Sequence, residues 1–171
     1  MSLNNILQEK KPAIVKQWFE ALVDAYPEGT RGSLRKQEAQ FANPVGYNYA
    51  EGVEALFDAL LGGMLPDTVS SFLDSMIRIR AVQSFTPSQA VGFIFQLKPI
   101  VRNALGVETF QDRQLSAELV VFESAVDDLA LFAFDLYLLC REKIYDIKAK
   151  EASRMTFRLL QQAKILVERQ E

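Results

Sequence analysis

The chain offers few residues that could do chemistry. It has no histidine, and its one cysteine is Cys140. A structural zinc site takes about four Cys or His ligands, which this chain cannot supply. Histidine-assisted nucleophilic and acid–base catalysis are excluded on the same ground, as is a haem held by a proximal histidine. A lone cysteine forms no internal disulfide, which fits a reducing cytoplasm. Asp127 and Asp128 are paired acids, but adjacent helical positions do not face each other. A carboxylate cation site needs several converging oxygens. The glycines form neither a P-loop nor a dinucleotide fingerprint. The stretch RGSLRK at 31–36 could meet a phosphate, but reads better as a solvated short helix. Cys140 sits between Leu139 and Arg141 and is expected to be a buried, inert thiol.

Two arginines stand out, in IRIRAVQSFTP at 77–87. Residues two apart on a helix cannot share a face. On a wheel of about 100° per residue, Val69, Phe72, Leu73, Met76, Ile77 and Ile79 form one apolar face, and Arg80 falls inside it. Arg78 falls about 180° away, four residues after Asp74 in the favourable order for an ion pair. Arg78 is therefore read as a surface charge and Arg80 as a side chain that enters the core. A buried charge must be compensated. Asp135, inside the apolar run LALFAFDLYLLC at 129–140, is the expected partner, with Asp127 and Asp128 as fallbacks. Arg80 and Asp135 form either a buried structural pair or an anion anchor in a ligand pocket.

The elements that would position these residues all read as helices. Leu3, Leu7, Ile14, Trp18, Leu22 and Ala25 fall on one stripe, which predicts a helix over 4–25, kinked or divided at Pro12. YPEGT ends it, and a short polar helix is expected over 31–40. FANPVG at 41–46 reads as a turn in which Gly46 allows positive φ. Tyr49, Val53, Phe57 and Leu60 mark a third helix, ended by Gly62 and Gly63, and 66–85 forms a fourth. Thr86, Pro87 and Gln89 form a capping box with proline at the first helical position. The fifth helix then bends at Pro99 and closes at Gly106. Beyond Val107 the chain holds neither glycine nor proline. A single helix that long exceeds what a compact domain needs, so the sequence divides into helices over about 112–146 and about 149–168, joined near DIKAK.

At 171 residues, with hydrophobic residues at 49% and charged residues at 24%, the chain suits one globular domain. The net charge of −3 argues against nucleic acid. It is unevenly spread. Arg141–Glu171 carries eight basic and five acidic residues, net +3; the remainder carries eleven and seventeen, net −6. The start is polar without an apolar signal core, and the apolar run at 129–140 is too short to span a bilayer. In the tail, Ala152, Met155, Leu159, Ala163 and Leu166 make a narrow apolar stripe. Such a stripe packs either on its own domain or on a second subunit, and Met155, Leu159 and Leu166 are the candidate dimer contacts.

The segments FANPVGYNYAEGVEALFDALL and FLDSMIRIRAVQSFTPSQAVGFIFQLKPIV resemble the N-terminal domain of the RsbT co-antagonist proteins of the RsbRD type. The resemblance extends from ILQEKKPAIVKQWFEALVDAYP to CREKIYDIKAKEASRMTFRLL. It implies an all-α, globin-like, haem-free bundle of about six to eight helices with a long C-terminal helical region. It also implies a cytoplasmic sensory or regulatory role in stress signalling, as a homodimer, with no cofactor and no catalytic residues. Related proteins join this domain to a STAS domain that binds a kinase, so a STAS-domain or kinase protein is the implied partner. These 171 residues contain no STAS pattern and no kinase motif, so kinase binding and phosphorylation are not carried over. The leading expectation is a regulatory domain that relays a signal by helix repacking. The alternative is a module that binds an apolar, lipid-like molecule near Arg80.

Overall fold

The computed structural model describes residues 2–36, 42–63, 67–83 and 85–168, without the side chains of 67–69, 108 and 164–168. These residues form eight helices and no strand. They are α1 (Leu3–Asp24), α2 (Glu28–Arg35), α3 (Pro44–Gly62), α4 (Asp67–Val82), α5 (Pro87–Phe95), α6 (Leu97–Ala104), α7 (Val107–Gln111) and α8 (Arg113–Glu168). The all-α expectation holds. The N-terminal half of α8 packs on α4 and α5, α4 packs on α3, and α1 lies against α3 and α6.

Local chemistry explains most boundaries. Ser2 caps α1, and Leu3, Leu7, Ile14, Trp18 and Leu22 bury one face of it. That burial outweighs the single bond lost at Pro12, so α1 is not divided at the proline. Deep in the core, the Trp18 indole donates to the Phe93 carbonyl at 2.8 Å, giving its polar end a partner. Thr86 and Gln89 form the expected capping box, with Pro87 in the first turn of α5. The bend expected at Pro99 takes the form of a break at Gln96, between α5 and α6. Asp112 starts α8 by accepting from the backbone of Gln114 and Leu115 at 2.8 and 3.0 Å.

Three expectations are corrected. The short polar helix begins earlier, at Glu28, and ends at Arg35; residues 37–40 lie outside the described residues. NPVG is the start of α3 and not a separate turn. Asn43 is the cap, accepting from Gly46 N at 3.0 Å while its amide donates to the Ser33 and Lys36 carbonyls. Gly46 is needed there for closeness, not for positive φ, because a Cβ would lie 2.6 Å from the Leu34 carbonyl. The positive φ falls at Gly63, which closes α3.

The third correction concerns the division near DIKAK. Helix α8 is continuous for 56 residues, roughly 84 Å by the α-helical rise. Compactness was the premise for dividing it, and α8 does not stay on the body: every residue from 145 to 163 is exposed. The segment 149–168 is thus the outer part of one helix, with no break behind it.

Gly46→Ala is expected to lower stability by about 1–3 kcal/mol, because the added methyl overpacks a contact between backbones. Urea denaturation followed by helical circular dichroism checks this. Parent stability in the variant would refute the close-approach account.

Candidate functional site

The wheel placed Arg80 correctly. It is 0% exposed, while Arg78 stays at the surface and pairs with Asp74 at 2.6 Å. The expected partner is wrong. Asp135 is exposed on α8, and among the described residues no carboxylate reaches Arg80. The helix that carries Asp135 is covered by the body on one flank only, and Asp135 lies on the other. The fallbacks fail too: Asp127 pairs with Lys98 at 2.6 Å, and Asp128 is exposed.

Backbone oxygens and aromatic faces compensate Arg80 instead. Nη1 donates to the Gln89 carbonyl at 2.8 Å and more weakly to that of Ala90 at 3.4 Å. Nη2 donates to the Leu22 carbonyl at 2.7 Å. Leu22 lies in the last turn of α1, where carbonyls lack intrahelical donors and carry the negative end of the helix dipole. The Tyr26 amide, which would otherwise serve Leu22, donates to Val23. The guanidinium carbon lies 4.9–5.8 Å from the ring centroids of Phe93, Phe85, Tyr26 and Tyr49. Faces at that range attract a cation. One donor, Nε, has no partner.

Around this cation the polar ends of aromatic side chains are also satisfied. The Tyr26 and Tyr49 hydroxyls are 2.5 Å apart, and Tyr26 donates to Gln83 Oε1 at 2.9 Å, which leaves Tyr49 as donor to Tyr26. Burial pushes the Tyr49 hydroxyl far above the usual tyrosine range, with its Tyr26 neighbour adding to the shift and Arg80 opposing it. Burial also raises Tyr26, against the Tyr49 bond and the charge of Arg80.

The α4–α5 connection is tied to α8 just where that helix leaves the body. The Tyr137 hydroxyl donates to the Phe85 carbonyl. Arg141 Nη1 donates to the Ala81 carbonyl at 3.1 Å, near the end of α4. Through its hydrogen bonds Arg80 joins three helices, α4, α1 and α5, and α8 is fastened to the same connection. The sequence reading missed Tyr26, Tyr49, Tyr137 and Arg141. The available signal was an aromatic excess beside a core-facing arginine, which points to cation–π compensation as much as to a carboxylate.

The remaining candidates are structural. Arg31 donates to the Tyr26 and Asp24 carbonyls and Arg35 pairs with Glu20 and Asp24, so RGSLRK closes the end of α1. Cys140 is buried, and burial pushes its thiol up, which fits an unreactive group. Among the described residues no cluster of three Cys, Asp or Glu could hold a metal ion. Arg80 lines none of the grooves between α1 and α6, α1 and α3, α3 and α4, or α5 and α8. One of about 420 Å³, apolar and open, lies between α5 and α8 beside Phe95, Leu131 and Phe134.

The tail residues fall as follows. Met155 and Leu159 are each 64% exposed, and Ala152 and Ala163 are exposed with them. The side chain of Leu166 lies outside the described residues. The model of the family described as the RsbT co-antagonist protein rsbRD N-terminal domain matches residues 12–152. No curated protein and no solved structure matches the chain significantly.

Arg80→Ala is expected to cost at least about 3 kcal/mol, because it opens a cavity and strands the Leu22 carbonyl. Asp135→Ala is expected to stay within about 0.5 kcal/mol. Chemical denaturation of both variants decides between the carbonyl cage and an Arg80–Asp135 pair, which would make the aspartate variant the weak one. The two tyrosines add a pH test. Their folded pKa values are raised, so the stability they contribute is present below about pH 10, the unfolded value. It is lost as pH rises toward the folded values. In an alkaline titration, part of the tyrosinate absorbance should arrive only together with loss of helix. Complete titration of a still-folded chain would contradict this.

Proposed function

The chain belongs to the RsbT co-antagonist protein RsbRD N-terminal domain family, and from that premise we propose a non-enzymatic sensory or regulatory domain that acts as a homodimer through α8. The family is a regulatory one of stressosome-type signalling proteins. The same reading gives it a cytoplasmic place, in keeping with its single, unpaired thiol, and a protein partner of the STAS-domain or kinase class. No helix among the described residues is long and apolar enough to cross a membrane.

The observation that carries the homodimer is the exposed outer part of α8. In proteins most helical stability comes from packing an apolar face, yet the outer part of α8 carries large apolar side chains that nothing in its own chain covers. Leu131, Leu138, Tyr145, Ala152, Leu159 and Leu166 recur at every seventh position, with Phe134 and Met155 at the intervening coiled-coil positions. Leu131, Phe134, Leu138, Tyr145, Met155 and Leu159 are all exposed. A strict seven-residue repeat drifts about 20° per heptad on a straight helix and favours a left-handed supercoil with a partner. The stripe begins on the body, beside the groove between α5 and α8, and continues into the tail. Arg141, which is fastened to the body, Lys148 and Gln162 occupy the other intervening positions, where polar residues select register at a cost in stability.

The relay follows from the fastening of α8. Any change that moves the α4–α5 connection pulls on Tyr137 and Arg141, and through them on the base of the helix. The output is a change in how the two α8 helices pack, read by a partner protein. Light scattering at about 0.5 M NaCl, where charge pairing is screened, should give twice the 19.3 kDa chain mass. The double variant Met155→Asp/Leu159→Asp should give the single chain mass with its body still helical. A monomeric parent, or a variant that remains dimeric, would reject the seam.

A further inference from the structure

Apart from the arginine network, α3 and α4 border a cleft of about 460 Å³, within the size range of small-molecule sites. Its lining includes Val45, Tyr47, Asn48 and Glu51 of α3 with Phe72 and Ile79 of α4, and neither lysine nor arginine among the described residues. Three features of that lining share one polarity. Asn48 Oδ1 is sealed from water and accepts no hydrogen bond. A buried acceptor left unpaired costs stability and needs a reason. Glu51 is exposed and forms no ion pair among the described residues, whereas Glu54 and Asp58 on the same helix both pair with Lys11. Tyr47 and Phe72 add two aromatic rings, whose faces are electrically negative.

We propose that this cleft binds an organic ammonium ion with a compact apolar body. An ammonium group donates hydrogen bonds and accepts none, so it matches a lining made of acceptors. One N–H goes to Asn48 Oδ1, and Glu51 balances the charge. The terminal torsion of asparagine is soft, so the amide turns toward a donor in the cleft at little cost. Aromatic faces attract a cation held over them, and Val45 and Ile79 offer carbon to the apolar body. An anion is repelled by Glu51, and a hydrocarbon leaves Asn48 Oδ1 unpaired. The site belongs to α3 and α4 alone and stands whether or not α8 pairs with a second copy. It adjoins the buried network, because Asn48 and Ile79 are the chain neighbours of Tyr49 and Arg80.

Isothermal titration calorimetry of the whole chain with phenethylammonium and with hexylammonium tests this, with phenethyl alcohol as the uncharged counterpart. At least one of the two ammonium ions should bind saturably, at one site per chain. The alcohol should bind at least about tenfold more weakly, since hydrogen bonds from a charged donor are the stronger ones. Asn48→Leu should weaken ammonium binding by about tenfold or more. Glu51→Gln, at an exposed position, should weaken it a few-fold, with a smaller loss at about 0.5 M NaCl. Circular dichroism checks the fold of both variants, and Glu51→Gln alone decides if the leucine variant does not fold. Equal affinity for the alcohol overturns the proposal, as does parent affinity in either folded variant. So does the absence of saturable binding by either ammonium ion up to about 10 mM.

Discussion

A guanidinium keeps its charge at any pH a protein meets, and Arg80 holds that charge where no water reaches it. The surrounding helices are arranged to make this tolerable. The end of α1 presents an orphan carbonyl, the start of α5 lends two more, and four aromatic faces close around the cation. None of these groups titrates in the ordinary range, so the compensation is fixed once the helices are placed. It also works only when all three helices are in place, since moving any one strips an acceptor from a buried charge. The body of the protein is therefore built around a demand for register. The tyrosine pair, Gln83 and the Phe85 turn extend the same network toward α8.

The uncoupling of that network from any carboxylate has a functional side. A buried ion pair can be broken by protonating its acid, and a carbonyl cage cannot. The ties from α8 to the α4–α5 connection join the base of the exposed helix to the same network.

Much of this was legible in the sequence, for identifiable reasons. The apolar wheel of α4 located Arg80, because burial follows helical periodicity closely. Thr86, Pro87 and Gln89 located a helix start, because their roles are local. The nature of the partner was not legible. Carbonyl oxygens have no letter in a sequence, and the exposure of Asp135 depends on which flank of α8 the body covers. The length of α8 was misread because compactness was assumed, when the absence of glycine and proline after Val107 already argued for one helix.

The continuity of α8 has a mechanical consequence. With neither glycine nor proline between Arg113 and Glu168, it contains no built-in hinge and behaves as a lever whose fulcrum is the Tyr137–Arg141 fastening. About 27 residues lie beyond Arg141, an arm of roughly 40 Å by the helical rise. A tilt of about 5° at the fulcrum would therefore carry the tip sideways through roughly 3–4 Å by the same rise. Displacements at Arg80 too small to disturb the core would, at that distance, be large enough to change which residues of two neighbouring rods meet.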